Sequence, residues 1–478
     1  MKSSQWKIDF VNHASVIIHT HDIKLLTDPW YWGTCFDDGW GLRYLNEFAL
    51  EQAAACTHLW ISHVHGDHLH IPTLKALLEK NPAIVCYGNR SLNFQIDNIL
   101  KKLGFKNVVP FFERTPLQVT ADVTIERIPT TGIDNMLVLR TRDGVLLNYN
   151  DCVLPMLSRK MLARKIGPID VFMSNFNHAG KLLQSPFPAP VELKNRLKVS
   201  YYNSVAAFNP KWAIPIASHH YYRAKETQEQ NYAMLTADDL ADLDSRIVPL
   251  HVGQSIEFDM QFDSYKNSTT TNCYEQPLEV KNRGRSVPIQ ELLTAAQKYR
   301  EKIKNSYPIL YRFIPPLLLL VEDLRTFIQL DLKKGASIMH NGDTAHMTAH
   351  SEALFNWFSK PYGTDLFVVG AHFKISHANT LPLFWHVLFG FLVDNKLDVR
   401  SVLKMLFHLK GLQFLFNRRE EIIGVLLTRK VGADFHRKNS PLRPRSWDRP
   451  LYALRGGLKG AGASSTASKI AENIERGC

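Results

Sequence analysis

Residues 61–70 read ISHVHGDHLH, four histidines and an aspartate within ten positions directly after an apolar run. His63, His65, Asp67 and His68 fall in the pattern H-x-H-x-D-H. Alternate residues on an extended segment point the same way, so His63 and His65 can share one metal ion while Asp67 and His68 face a second. Imidazole and carboxylate together suit zinc, iron or manganese. Asp67, beside a metal-bound water, is the candidate catalytic group because a carboxylate there can help to deprotonate that water. His70, one turn further on, reads as a supporting or surface residue rather than a ligand.

The elements needed to hold such a loop are legible around it. Over the first 260 residues, short runs rich in Val, Ile, Leu and aromatics ("SVIIHT", "KLLTDPW", "THLWIS", "AIVCYG", "VTIERIP", "GVLLNYN", "VFMSNF", "WAIPIAS") alternate with helical patterns ("PTLKALLEKN", "NFQIDNILKKLG", "SVAAF"). Most runs are bounded by Gly, Pro, Asn or Asp, which predicts an α/β domain over residues 1–262. The polar, Thr/Asn-rich stretch 263–277 reads as a linker. Residues 278–455 read as a second, helix-rich α+β domain opening with the helix "IQELLTAAQKYREKIKN", and 456–478, small and polar, as a flexible tail.

With 478 residues, 45% hydrophobic and 21% charged, the composition is that of a globular protein. The net charge of +12 is uneven: residues 391–478 carry 17 Lys/Arg against 8 Asp/Glu. That basic segment suits anionic ligands or peripheral contact with a membrane surface, and it lacks any motif for specific nucleic-acid binding. The opening MKSSQWKIDF has no apolar signal-peptide core, and the most apolar stretches, 309–321 and 381–393, are too short to span a bilayer, so no transmembrane segment is expected. Six scattered cysteines without a C-x-x-C fit a reducing, cytoplasmic setting. His346 and His350 in "HMTAH", near His340, read as one face of a packed or surface helix. "RGGLKGAG" reads as tail, since no strand precedes it.

The H-x-H-x-D-H loop at a strand end resembles the signature of the metallo-β-lactamase superfamily. "NHASVIIHTHDIKLLTDPW" is similar to that superfamily's opening strands, "GVLLNYNDC" to the strand whose terminal aspartate bridges two metals, and "WAIPIASHH" to the late strand before the final ligand. Within the superfamily, "DPWYWGTCFDDGWGL", "LWISHVHGDHLHIPTLKAL" and "IDNMLVLRTRDGVLLNYNDC" resemble, in the same order, the catalytic half of CMP-N-acetylneuraminate hydroxylases and related bacterial proteins of sugar metabolism. The resemblance implies an αββα sandwich followed by the C-terminal α+β domain. It implies two divalent metal ions, zinc or iron with manganese as a third choice, held by His63, His65, Asp67, His68, the bridging Asp151 and a final histidine. His219 is the first candidate for that last position, then His220 and His178. Asp28, in "TDPW", would orient a ligand, and His13 reads as a buried supporting residue. The superfamily's intermediate histidine is missing: "IPTTGIDN" offers only Thr130, Thr131 or Asp134, so an asymmetric or mononuclear site is an alternative.

Three functions follow. Hydrolysis of an ester, lactone or phosphodiester by a metal-activated water is the first reading, on a small, anionic substrate such as a sugar nucleotide or polysaccharide intermediate. Iron- and oxygen-dependent hydroxylation of an N-acyl sugar nucleotide is the second. The resembling hydroxylases join this domain to a Rieske iron–sulfur domain; here "CTH" at 56–58 supplies one C-x-H without a C-x-x-H partner, so a separate electron-transfer protein would be required. A non-catalytic binding protein is the third.

Overall fold

The computed structural model describes residues 5–431, apart from 21, 91–94, 184–187, 261–262, 270–271, 282, 340–343 and 402–406. The chain forms two units. The first takes in the residues up to Ala179, Ala189–Asn282 and the helices that follow Arg400; the second is built on Arg283–Val399 with the short segment from Gly180.

The first unit contains an eight-stranded and a six-stranded sheet. The larger runs in the order Ser264–Thr269, Gln254–Asp259, Gln5–Asn12, Ser15–Thr20, Ile23–Thr27, His58–Trp60, Val85–Arg90, Val108–Phe112. The smaller runs Leu117–Gln118, Thr124–Pro129, Asn135–Arg140, Val145–Asn150, Val171–Ser174, Trp212–Pro215. Both faces of each sheet are apolar because both are covered. Trp6, Ile8, Ile18 and Leu25 meet Leu137, Leu139, Val171 and Ile214 in one core between the sheets. The alternate residues Ile17, Leu26 and Leu59 pack with Leu74, Leu77 and Leu100 of the helices Ile71–Lys80 and Ile96–Leu103. On the far side, Val138, Leu147 and Phe172 pack with Leu162 and Val205 of the helices Met156–Ile166 and Pro190–Phe208. The layer order is therefore helix, sheet, sheet, helix: the αββα sandwich expected.

Ile23–Thr27, His58–Trp60, Val85–Arg90 and Val108–Phe112 pair in parallel, as do Val145–Asn150, Val171–Ser174 and Trp212–Pro215. Their carboxyl ends deliver Asp28, the 61–68 loop, Asp151 and the 216–220 segment, and ligands collect at such strand ends in α/β folds. His70 closes the loop as the N-cap of Ile71–Lys80, its side chain accepting a hydrogen bond from the Thr73 amide.

Three sequence-based boundaries change. The stretch 263–277 is not a linker: Ser264–Thr269 adds an edge strand to Gln254–Asp259, and Cys273–Glu275 pairs with Tyr44–Asn46. Every residue of that edge strand is exposed, so it needs no apolar alternation and reads as polar loop. The second unit begins at Arg283, and the helices Leu409–Asn417 and Arg419–Val431 belong to the first unit rather than to a 278–455 domain. Residues 456–478, with "RGGLKGAG", lie outside the described residues.

In the second unit, a five-stranded sheet and the helices Ile289–Ser306, Ser351–Ser359, Gly363–Val369 and Leu381–Asp394 share a core that includes Leu292, Leu319, Trp357 and Leu383. The apolar run 381–393 is thus core packing. His346 and His350 flank the strand Met347–Ala349 instead of sharing a helix face, and His350 caps the next helix; His340 lies outside the described residues. Among the described residues no helix is long and apolar enough to cross a membrane, and Cys35, Cys56, Cys86 and Cys152 are buried thiols outside any disulfide.

Candidate metal centre

The 61–68 loop is held from beneath by amides. Asn89, on Val85–Arg90, donates from Nδ2 to the carbonyls of Ile61 and Ser62 at 2.8 and 2.7 Å, and its Oδ1 accepts from Trp60 Nε1 at 3.0 Å. Asn135 donates to the Ser62 carbonyl at 2.9 Å and accepts from Arg127 Nη1 at 2.7 Å. With its backbone tied on two sides, the loop presents its imidazoles in fixed directions.

Three groups of ligand atoms result, each lying within 4.8 Å of one another: His63, His65 and Asp134; His13, Asp67 and His68; and His63, His68 and Asp151. In the first, His63 Nε2 is 3.0 Å from His65 Nδ1 and 3.7 Å from Asp134 Oδ1. In the second, Asp67 Oδ2 is 3.2 Å from His13 Nε2 and 3.3 Å from His68 Nε2. Asp151 Oδ2 lies 3.0 Å from His68 Nε2, between the two groups. The donor set fits a pair of divalent cations. Two imidazoles and one carboxylate stand at each position, and the buried Oδ1 atoms of Asp67 and Asp151 make no hydrogen bond of their own.

Supporting contacts select the ligating atoms. Asp28 lies 3.1 Å from His68 Nδ1, takes the Ser62 amide at 2.7 Å and the Asn150 side chain at 2.6 Å. His68 Nδ1 is thereby engaged and Nε2 is left for a metal, the carboxylate–histidine–metal arrangement. Ser62 Oγ does the same for His63, 2.9 Å from its Nδ1. His13, Asp28 and Asn150 all adopt left-handed backbone, with φ of 44°, 38° and 52°. Such non-glycine residues carry local strain, and here they collect at the strand ends around one site. Asp28→Asn is expected to lower metal affinity about 10- to 100-fold without unfolding, read by competition with a chromogenic chelator; unchanged affinity would remove Asp28 from the site.

Charge follows the same geometry. Burial, reinforced by His68 and His65, holds His63 well below the usual imidazole range, so its lone pair is free for a metal. Burial opposes charge on His68 too, but Asp67, Asp151 and Asp28 around it outweigh that and raise it well above the usual range. Burial likewise opposes ionisation of Asp67, and His68 and His13 overcome it, holding its carboxyl well below the usual range. Burial, with Asp151 and Glu421 nearby, raises Asp134 to about 7 against the pull of His65 and His68.

Measured against the sequence expectations, His63, His65, Asp67, His68 and Asp151 come together and Asp28 takes an orienting position. Two expectations change. His219 is in none of the three groups: its ring lies edge-on to Phe10 at 5.0 Å and Tyr44 at 5.6 Å. Its neighbour His220 faces the other way, stacked 3.7 Å from Trp40 and 5.6 Å from His13. Neighbouring residues entering the strand His220–Tyr222 point to opposite sides, and the sequence alone does not say which side is the site. His178 stacks on Tyr222 instead, at 5.4 Å. His13, read as supporting, sits among the ligands; its place in a turn between two strands was the overlooked signal. His13→Ala is expected to lower bound metal by about one ion per chain, while His219→Ala leaves it unchanged, both by elemental analysis; the reverse pattern would restore the original assignment.

Of the three residues weighed for the missing intermediate histidine, Asp134 is the one that reaches the ligands. Thr130 Oγ1 donates to the Asp134 carbonyl, and Thr131 donates to Glu421 through both N and Oγ1. Glu421 and Arg418, which donates to the Thr130 carbonyl and pairs with Glu113, brace this loop from nearly three hundred residues away in sequence. Phe414 and Arg418 line a pocket with His63, Asn89, Asp134 and Asn135. Cys56 is buried, and His58 stacks on Tyr87 at 5.6 Å, so "CTH" contributes nothing to the centre.

No family model matches the chain. Among curated proteins it is 26% identical over 237 residues to the cytidine monophosphate-N-acetylneuraminic acid hydroxylase of Danio rerio, covering 46% of this chain and 39% of that protein. The chain thus matches well under half the length of this relative. Among solved structures, CmlA, a diiron β-hydroxylase from Streptomyces venezuelae, aligns at 17% identity with a TM-score of 0.38, over 54% of this chain and 55% of that one. The metallo-β-lactamase fold protein YhfI from Bacillus subtilis aligns at 12% identity with a TM-score of 0.35, over 57% of this chain and 100% of that one.

Proposed function

We propose that the chain, through its first unit, is a metal-dependent enzyme of the metallo-β-lactamase superfamily, and that it is an iron-dependent hydroxylase that uses dioxygen. One observation carries the reading: each metal position offers two histidines and one carboxylate, His63, His65 and Asp134 at one, His13, His68 and Asp67 at the other. Two histidines and a carboxylate with open positions are the donor set of non-haem iron oxygenases, and catalytic zinc sites use the same set, so the residues admit redox-active iron without requiring it. The similarity to proteins named as hydroxylases supports the same direction.

Iron bound there would supply the redox chemistry that dioxygen use requires. The chain's own residues do the rest. Asp28 and Ser62 fix the imidazoles, Asp151 spans the two positions, and the pocket beside His63 and Asp134 sets the apolar Ile96, Ile133 and Phe414 beside the polar Asn89, Asn135 and Arg418 next to the centre. The overall change is R–H + O2 + 2 H+ + 2 electrons → R–OH + H2O, so a separate electron-transfer protein is needed as partner. The substrate class we assign is an anionic N-acyl sugar nucleotide, on the relatives' names.

Hydrolysis is the second reading. A bound metal would supply an activated water, and Asp67, whose Oδ1 makes no hydrogen bond beside the same donors, would be the group to accept a proton there. The test is dioxygen uptake by iron-loaded protein with a chemical reductant and an N-acyl sugar nucleotide. Uptake matched one-to-one by hydroxylated product supports the hydroxylase; cleavage of ester or phosphodiester substrates with no oxygen consumption replaces it with the hydrolase.

A further inference from the structure

The helices Leu409–Asn417 and Arg419–Val431 carry their apolar residues on the wrong side for a buried pair. Leu409 is 82% exposed, Leu412 51% and Phe416 62%; on the second helix Ile423, Leu426 and Leu427 are also exposed. The spacing, i, i+3, i+7 on the first helix and i, i+3, i+4 on the second, makes one stripe on each. Exposed apolar area of this extent marks an interaction surface.

The charges around the stripe have one sign. Both acidic residues of these helices up to Leu427 are buried: Glu420 accepts from Arg114 Nη2 at 2.6 Å and Glu421 holds Thr131. Lys410 is exposed, and Arg419, half-buried and paired with Glu420 at 3.3 Å, lies over the Phe416 ring at 4.1 Å. From residue 428 to 449 the sequence then carries seven Lys/Arg against two Asp/Glu. A stripe of leucine and phenylalanine bordered by cations, with no outward carboxylate, matches a surface that is apolar within and anionic at its edge.

We propose that the paired helices 409–431 dock this protein on an anionic lipid bilayer, the apolar stripe entering the headgroup boundary and the basic residues meeting lipid phosphates. A second copy of the chain is the poorer occupant, because it would bring the same cations face to face. Phe414, on the same helix as Leu412 and Phe416, lines the pocket beside His63 and Asp134, so docking sets that pocket about one helix diameter, roughly 10 Å, from the headgroups. The docking itself is independent of which reaction the metals perform.

The test is co-sedimentation of the full-length, metal-containing protein with phosphatidylcholine vesicles, with and without phosphatidylglycerol. Binding only to the phosphatidylglycerol vesicles is expected, falling at least about tenfold in the Leu412→Gln/Phe416→Gln double variant, whose metal content should match the wild type because both side chains are exposed. Equal binding to both vesicle types, no binding to either, or full binding by the double variant would overturn the proposal. So would a concentration-dependent dimer in size-exclusion chromatography that the double variant abolishes, since the stripe would then be a contact between copies.

Discussion

Asp67→Ala is expected to empty one metal position, lowering bound metal by about one ion per chain and affinity there by more than about 100-fold. Asp67 is the single carboxylate between two buried imidazoles, 3.2 Å from His13 Nε2 and 3.3 Å from His68 Nε2. Without it, the two imidazoles and the shared Asp151 remain, and the site loses one of the two negative charges that offset a dication in a desolvated setting. The backbone of the loop is held by Asn89, Asn135 and Asp28 and not by Asp67, so circular dichroism should match metal-free wild type. Asp67→Asn, which keeps the shape and removes the charge, should behave nearly as Ala. Wild-type metal content in either variant would refute the assignment.

The second large effect concerns Asp134. Asp134→Ala leaves His63 and His65 with the shared Asp151 at the other position, and iron there is expected to fall by about one ion per chain, with oxygen-coupled turnover down more than about 100-fold. Asp134→His discriminates further. It converts the set to three imidazoles, so metal should be retained with a shift toward zinc, while oxygen-coupled turnover is not recovered. Elemental analysis of protein grown with equal iron and zinc reads this directly. An Ala variant with unaltered iron would show that Asp134 is only near the centre.

These two residues mark how far the sequence could be read. Asp67 was legible because its chemistry is local: the loop spacing and the strand before it place the ligands without knowledge of anything distant. The sandwich was legible for the same reason, since near-continuous apolar runs such as Ser15–Thr20 record burial on both faces. Asp134 could be named only as one of three residues, because the contacts that set its loop come from Arg418 and Glu421, far along the chain. His13 falls in a candidate ligand group and His219 in none, because a side chain's direction at a turn or a strand entry depends on backbone angles that residue type does not encode: His13 turns in with a φ of 44°. The strand Ser264–Thr269 escaped notice because solvent on both faces erases the pattern that betrays a strand.

The central claim is that paired two-histidine, one-carboxylate positions hold redox-active iron. Its most direct measurement is elemental analysis of protein purified without added metal, combined with its visible spectrum before and after anaerobic reduction. About two iron ions per chain, with absorption that bleaches on reduction and returns with dioxygen, is the predicted result. Stoichiometric zinc with a spectrum unchanged by reductant would contradict it and leave hydrolysis as the chemistry of this centre.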